Sequence, residues 1–390
     1  MAKKIVYLDN GSTTKIAPEV LRRISSALKK VYGNASSLHS LGIEAQKEIE
    51  KAREVIARAI NSGTEEIIFT SGGTESNNLA LKGIFLANPE KNHIITTKIE
   101  HSSVMRACEW LSQRGAKITF LKVNNQGFVD LKELEDSIDD KTLLISIIHG
   151  NNEIGTIQDL DKIGNICQKH NVYLHTDACQ SFTKTFLDVK QQNIDLMTLN
   201  SHKIHGPKGI GVLFIKKGTN ISSLHHGGPQ EFNLRAGTEN IPSIIGFAEA
   251  IILAQNKGNI KKVLDLRDKV IRGVLKIPGS QLNGPVGEKR LCNNASFSFK
   301  SVEGESIVSM LDEKGIAAST GSACAEKDLE PSHVLKAIGL SHEEAHGSLR
   351  LTLSRYTTEQ EIDYFLKSLH PVIKRLREIS PYGQEEKNVL

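Results

Sequence analysis

Between about residue 40 and residue 257, short apolar runs alternate with stretches whose apolar residues recur at helical spacing. The run EAQKEIEKAREVIARAI carries apolar residues three and four apart with charges between them, which predicts an amphipathic helix. Seven β-rich runs follow: EIIFTSG, NHIITTKIEH, KITFLKV, TLLISIIHG, VYLHTDA, IDLMTLNSHK and IGVLFIKK. Most are followed by a helical stretch, among them SNNLALKGIFLA, SVMRACEWLSQRG and IGNICQKH. Strands that are apolar on both faces and alternate with helices predict a mainly parallel sheet covered on both sides. The link between DLMTLNSHK and GVLFIKK is too short for a crossover helix, so one antiparallel neighbour is expected.

After ILAQNKGN the pattern changes. NNASFSFK, GIAAST and SLRLTLSR read as strands among the helices GESIVSMLDEKG and TTEQEIDYFLKSLHPVIKRLREIS. Thr358 and Glu361 stand at capping-box spacing where the last helix opens. The fold expected is α/β: a large domain over residues 15–257 and a smaller α+β domain over 258–390, with residues 1–14 packing on the smaller one.

Composition excludes several classes. A net charge of +4, from 49 Lys+Arg against 45 Asp+Glu, is too balanced for a nucleic-acid groove. MAKKIVYLDNG has no apolar h-region and reads as no signal peptide. The most apolar helical window, IPSIIGFAEAIILAQ, is too short to span a bilayer and carries Glu249. The five cysteines (108, 167, 179, 292 and 324) have no zinc or CxxC spacing, which suits reduced thiols in a cytoplasm.

In an open parallel sheet, ligands sit beyond the carboxyl ends of the strands. FTSGGTES ends one strand on small residues and opens a helix, a setting for a phosphate or for a simple cap at Thr74. KIEHSSV puts His101 at the next strand end, and IHGNNEIG puts Asn151 and Asn152 at another. VYLHTDACQ ends on Asp177, three residues before Gln180. SHKIHGPKGIG places Lys203 between two strands. Taken alone, His101 reads more often as a structural histidine, Asn151-Asn152 as a turn, and Asp177 as a carboxylate paired with a nearby Arg or Lys. Together they match a pyridoxal phosphate enzyme: a lysine for the aldehyde, a carboxylate for the pyridine nitrogen, a flat ring to stack, and a helix N-terminus for the phosphate.

Rival chemistry fits less well. GPKGIG precedes a strand instead of opening a helix, the wrong context for a dinucleotide motif. His202, His205, His225 and His226 match no zinc spacing. In ASTGSACAEKDLEPSHVL, Cys324 follows a strand candidate in a Gly/Ser-rich segment, where it reads as a packing residue or as a reactive thiol on an exposed loop.

The chain resembles, over nearly its whole length, the cysteine desulfurases of the NifS/IscS type, which are fold-type I pyridoxal phosphate enzymes. The resemblance rests on ordered motifs: YLDNGSTT, YGNASSLHSLG, FTSGGTESNN, EHSSV, NNEIGT, HTDACQ, SHKIHGPKGIG, RAGTENI, STGSACAEKDLEPSHVL and SLRLTLSRYTT. It implies a large domain with a mainly parallel seven-stranded sheet. It implies Lys203 as the Schiff-base lysine and proton acceptor, His101 as the ring-stacking acid/base, Asp177 at the pyridine nitrogen and Gln180 at the ring hydroxyl. Gly73, Thr74, Ser201 and His202 would hold the phosphate, and Thr238 the phosphate of the other subunit of a homodimer. Asn152 and Arg350 would grip the carboxylate of L-cysteine. Cys324 would accept sulfur as a persulfide, the one point of a transient iron–sulfur contact, and pass it to an iron–sulfur scaffold or a tRNA-thiolating protein. An aminotransferase or a selenocysteine lyase shares the lysine and aspartate. A transaminase has no use for Cys324. The chain departs from the family pattern at Gly73 and Cys179, where alanine is expected, at Ala236, where serine is common, and in NGSTT. Cys179 adds a thiol near the cofactor, a second place for sulfur to end.

Overall fold

The computed structural model describes residues 5–321 and 331–379. Strand β1 (Val6–Tyr7) stands apart from the main sheet, which is built from β2 (Ile67–Thr70), β3 (His93–Thr97), β4 (Lys117–Leu121), β5 (Thr142–Ser146), β6 (Tyr173–Asp177), β7 (Leu196–Asn200) and β8 (Gly211–Ile215). Their order is β2-β8-β7-β6-β5-β3-β4. The pairs from β7 through β4 are parallel, and β8 runs antiparallel to both β7 and β2. The short β7–β8 link is thus an antiparallel connection, as its length requires.

Alternate residues of these strands enter two different cores. Ile67, Phe69, Ile145, Met197 and Leu199 join one cluster, with helices Ser40–Ile60, Leu160–His170 and Ile241–Ala254. Ile68, Leu144, Leu196 and Leu213 join the other, under helices Gly73–Ala87 and Ser102–Ser112. Burial on both faces explains why the strands read as continuous apolar runs.

A second sheet of order β12-β10-β9 is antiparallel, from β9 (Ser280–Leu282), β10 (Asn294–Phe299) and β12 (Ser348–Thr352), while β11 (Ile316–Ala317) pairs in parallel with β1. Only two residues of the GIAAST run are strand. Val6, Leu8, Phe297, Leu351, Phe365 and Leu369 share one cluster here, separate from the cores of the main sheet. Thr358 and Glu361 exchange reciprocal side-chain to backbone bonds of 2.9 and 3.3 Å at the start of helix Glu359–Ile379, the capping box expected from their spacing.

Residues 9–14 tie the two sheets together. The Asn10 side chain donates to the Thr352 carbonyl (2.8 Å) and Thr14 Oγ1 to the His202 carbonyl (2.8 Å). This segment roofs the carboxyl ends of β6 and β7.

Candidate active site

A cavity of about 330 Å³ opens at those carboxyl ends. It is lined by residues from five strand ends, from the 9–14 segment and from β12, a size and setting suited to a small organic ligand. Lys203, His101, Gly73, Thr74, Asn152, Asp177, Gln180, His202 and Arg350 all face it.

Lys203 leaves β7 and donates to the carbonyls of Gly11 and Ser12, the latter at 2.8 Å. Burial, with the Arg350 charge next in weight, lowers its ammonium pKa to about 8. An amine so depressed is available as a nucleophile or a base near neutral pH. The lysine is neither an end-cap nor a surface residue.

Asp177, the last residue of β6, is 4% exposed. Its Oδ2 accepts from Asn77 Nδ2 (2.7 Å) and its Oδ1 from the Cys179 amide (2.9 Å). Asn77 Nδ2 also donates to Ser103 Oγ (2.8 Å), which meets His101 Nδ1 at 2.7 Å. The Ser103 amide donates to the same nitrogen (3.1 Å), so Nδ1 is an acceptor and the proton of the neutral ring sits on Nε2. Burial lowers the His101 pKa and keeps the ring neutral; Asp177 opposes the shift and Lys203 adds to it. Asn77 and Ser103 were not singled out in the sequence. Asn77 lies one helical turn after Gly73, a spacing that puts both on one face.

Of the Asn151–Asn152 pair, Asn151 is structural. Its Oδ1 accepts from the amides of Glu153 and Ile154, both at 2.9 Å, and its Nδ2 donates to the Ile99 carbonyl. Asn152 faces the cavity and its carbonyl accepts from Arg350 Nη1 (3.2 Å). Arg350, 2% exposed on β12, also reaches Ser12 Oγ (2.8 Å), Asp9 Oδ1 (3.1 Å) and the Gly321 carbonyl (3.2 Å). Among the described residues its buried Nε has no partner. Gln180 donates to the Gly11 carbonyl (2.8 Å). His202, its pKa lowered to about 4 chiefly by burial, meets Thr13 Oγ1 at 3.2 Å.

Ser201 departs from expectation. It does not line the cavity: its buried hydroxyl lies toward Gly206, where an added Cβ would sit 1.9 Å from it. The preceding residue, Asn200, takes the cavity-facing place, and its buried Oδ1 has no partner among the described residues. Thr238 is exposed and lines no part of this cavity, and Cys324 lies outside the described residues.

Cys179 is buried between Asp177 and Gly73. Burial first, and then the Asp177 charge, push its thiol pKa well up. A thiol held protonated is a poor nucleophile, and the Cys179 sulfur packs against Gly73.

Two further acids line the cavity and escaped the sequence reading. Glu100 Oε1 accepts from Thr97 Oγ1 (2.7 Å) and the Ile148 amide (2.9 Å), its Oε2 has no partner among the described residues, and burial pushes its pKa up to about 8. Glu153, 1% exposed, accepts from Ser332 Oγ. Burial raises its pKa, against the Ser332 bond and the charges of His333 and Arg350.

The aminotransferase class-V family model matches residues 6–365. The chain belongs to that family. The cysteine desulfurase IscS of Dictyoglomus turgidum is 48% identical over 99% of this chain and 98% of its own length. The cysteine desulfurase IscS of Methanosarcina thermophila is 46% identical over 99% of this chain and 96% of its own. Among solved structures, a NifS-like protein superposes with a TM-score of 0.90 at 38% identity, covering 96% of this chain and all of that one. A structure described as SspA in complex with cysteine gives a TM-score of 0.81 at 35% identity, covering 90% and 99%. Within the class-V family the chain stands with the cysteine desulfurases, as pyridoxal 5′-phosphate-dependent enzymes of fold type I. Its residues fit that group: a depressed amine, a buried carboxylate, the first turn of helix Gly73–Ala87 with its unpaired amides, and unmet polar atoms on Asn200 and Arg350.

Proposed function

We propose that this chain removes sulfur from L-cysteine, releases L-alanine and leaves the sulfur on Cys324 as a persulfide. The observation that carries the reading is one cavity holding both the depressed amine of Lys203 and the buried guanidinium of Arg350 with its unmet Nε. Lys203 would hold pyridoxal phosphate by its amine. Asp177 would meet the pyridine nitrogen, Gln180 the ring hydroxyl and His101 the ring face, while Gly73, Thr74, Asn200 and His202 would hold the phosphate. When bound, the group supplies an electron sink for bonds at the substrate α-carbon.

Arg350 orients the substrate through its carboxylate, with Asn152 alongside, and a charge-assisted fork fixes direction as well as affinity. Lys203, as a free amine, takes the proton from the α-carbon. His101 holds its proton on Nε2, toward the cavity, and is set to donate. The Cys324 thiolate attacks the substrate sulfur: the S–S bond forms, the C–S bond breaks, and protonation of the carbon fragment gives alanine.

The reading extends to assembly. The exposed Thr238 lines no part of its own subunit's cavity, which supports a homodimer in which it serves the partner's phosphate. Separate cores under the two sheets support a division into a large domain of 15–257 and a smaller one of 258–390 joined by residues 1–14. Among the described residues no helix is long and apolar enough to cross a membrane. A cytoplasmic enzyme that passes sulfur to an iron–sulfur scaffold or a tRNA-thiolating protein fits these features. The test is to load the protein with pyridoxal phosphate, add L-cysteine, and measure alanine together with persulfide at Cys324 by mass spectrometry. Alanine in the absence of persulfide would remove Cys324 from the reaction; pyruvate or a keto acid in place of alanine would indicate another chemistry.

A further inference from the structure

Glu153 stands where three separate parts of the chain meet. It follows Asn152 at the end of the turn after β5, and its carbonyl accepts from Asn294 Nδ2 (3.0 Å) on β10. Its Oε2 accepts from the Ser332 hydroxyl. On its other side lies Gly321, where an added Cβ would sit 2.9 Å from that same Oε2 and 3.2 Å from Ser332 Cβ. Arg350, which holds the Asn152 carbonyl with one Nη1, holds the Gly321 carbonyl with the same nitrogen, both at 3.2 Å. One carboxyl thus meets both Gly321, which precedes the 322–330 stretch containing Cys324, and Ser332, which follows that stretch after Pro331.

The bond to Ser332 has a fixed direction. Ser332 caps helix His333–Ala337, and its Oγ accepts from the amides of Val334 (3.1 Å) and Leu335 (3.3 Å). With its lone pairs so engaged, its hydroxyl proton goes to Glu153. His333, the first residue of that helix, donates from Nε2 to the Glu100 carbonyl (3.0 Å) and lines the cavity. The same carboxyl therefore sets where His333 stands at the cavity wall. Arg350 reaches the cavity from β12, and the Glu153–Ser332 bond is not one of its own contacts.

We propose that Glu153 is a positioning residue for sulfur transfer: its carboxyl pins Ser332 and packs on Gly321, which flank the Cys324 stretch in the sequence. This rests on the desulfurase reading of the cavity. Glu153 is no acid or base here. It contributes an acceptor and a shape, so an amide of the same size should serve as well, whereas loss of the side chain should slow the sulfur-transfer step and spare substrate binding.

The experiment compares Glu153→Ala, Glu153→Gln and Ser332→Ala with the wild-type holoenzyme of full length. Three quantities are read: the L-cysteine concentration that half-saturates the cofactor absorbance change, the rate of persulfide formation at Cys324 on rapid mixing, and hydrogen exchange at the Val334 and Leu335 amides. Glu153→Ala and Ser332→Ala should bind L-cysteine as the wild type does, form persulfide about tenfold more slowly or worse, and exchange faster at both amides. Glu153→Gln should match the wild type in all three. Wild-type persulfide rates in Glu153→Ala overturn the proposal, as does a Glu153→Gln variant as slow as Glu153→Ala. A wild type that makes no persulfide at Cys324 overturns the desulfurase reading itself, and the proposal with it. That outcome is visible in the control before any variant is compared.

Discussion

A Cβ on Gly73 would lie 2.7 Å from the sulfur of Cys179, closer than such atoms come in folded proteins. Both residues depart from the alanines expected at their positions, and the departures compensate: one side chain is lost where the other has grown. Gly73→Ala should therefore destabilise the protein by about 1–3 kcal/mol through overpacking. Cys179→Ala should cost less. The double variant Gly73→Ala/Cys179→Ala should recover most of the loss, with a coupling of about 0.5–3 kcal/mol in denaturant titrations. Strict additivity would mean that the two residues do not share the space.

Lys203→Ala should abolish alanine formation, because the amine that holds the cofactor also takes the substrate proton. Pyridoxal phosphate should still bind through its phosphate contacts, but borohydride should no longer fix it to the chain. Fixation at wild-type yield would move the attachment to another amine, with Lys184 the first to examine, since burial lowers its pKa to about 8 as well.

Glu100 gives a pH signature. Its pKa rises from 4.5 to about 8 on folding, so between those values the native protein keeps a proton that the unfolded chain releases. The unfolded state binds fewer protons there, and stability falls as pH rises through the window. Glu100→Gln removes the titrating group and should flatten the slope of unfolding free energy between pH 5 and 8, a difference of order a few kcal/mol at the upper end. Lys203 gives the opposite slope in the cofactor-free protein, with stability rising between about 8 and 10.5. Equal slopes for Glu100→Gln and wild type would show that the buried acid ionises normally.

Arg350→Ala should chiefly weaken substrate binding, by about 1.5–3 kcal/mol or roughly tenfold to more than a hundredfold. An unchanged Michaelis constant for L-cysteine would place the substrate carboxylate elsewhere. Arg350→Lys keeps the charge without the fork, and should fall between the two.

Mixed dimers test Thr238. With Lys203→Ala in one subunit and Thr238→Val in the other, one site loses both groups and the other keeps both. At limiting pyridoxal phosphate such dimers should show close to half the wild-type activity, with wild-type cofactor affinity at the active site. Cofactor binding as weak as in the Thr238→Val homodimer would show that the threonine serves its own subunit.

The sheet and most of the cavity were legible because each depends on local pattern. A strand buried on both faces must be apolar, and a polar residue where such a run ends is visible against it, as with Asp177 and Lys203. Ser201 shows the limit of that reading. Around a strand end, a slip of one residue reverses which way a side chain points, and no feature of NSHK alone says that Asn200 looks inward and Ser201 toward Gly206. Asn77, Ser103 and Glu153 were not legible, because their partners lie far along the chain: Asn77 meets Asp177 across 100 residues and Ser332 meets Glu153 across 179. Polar residues of that kind look like ordinary caps until the chain has closed around them.

The four cysteines in the described chain are all buried, and burial raises the pKa of each, to about 12 for Cys108. Burial and a raised pKa both disfavour the thiolate that alkylating reagents need. A single-thiol reporter is usually engineered by deleting competing cysteines; here the fold buries the four competitors in place. Iodoacetamide uptake by the native enzyme, followed at successive points of a turnover, should then fall mainly on Cys324 if that residue carries the sulfur, with little background from the four buried thiols.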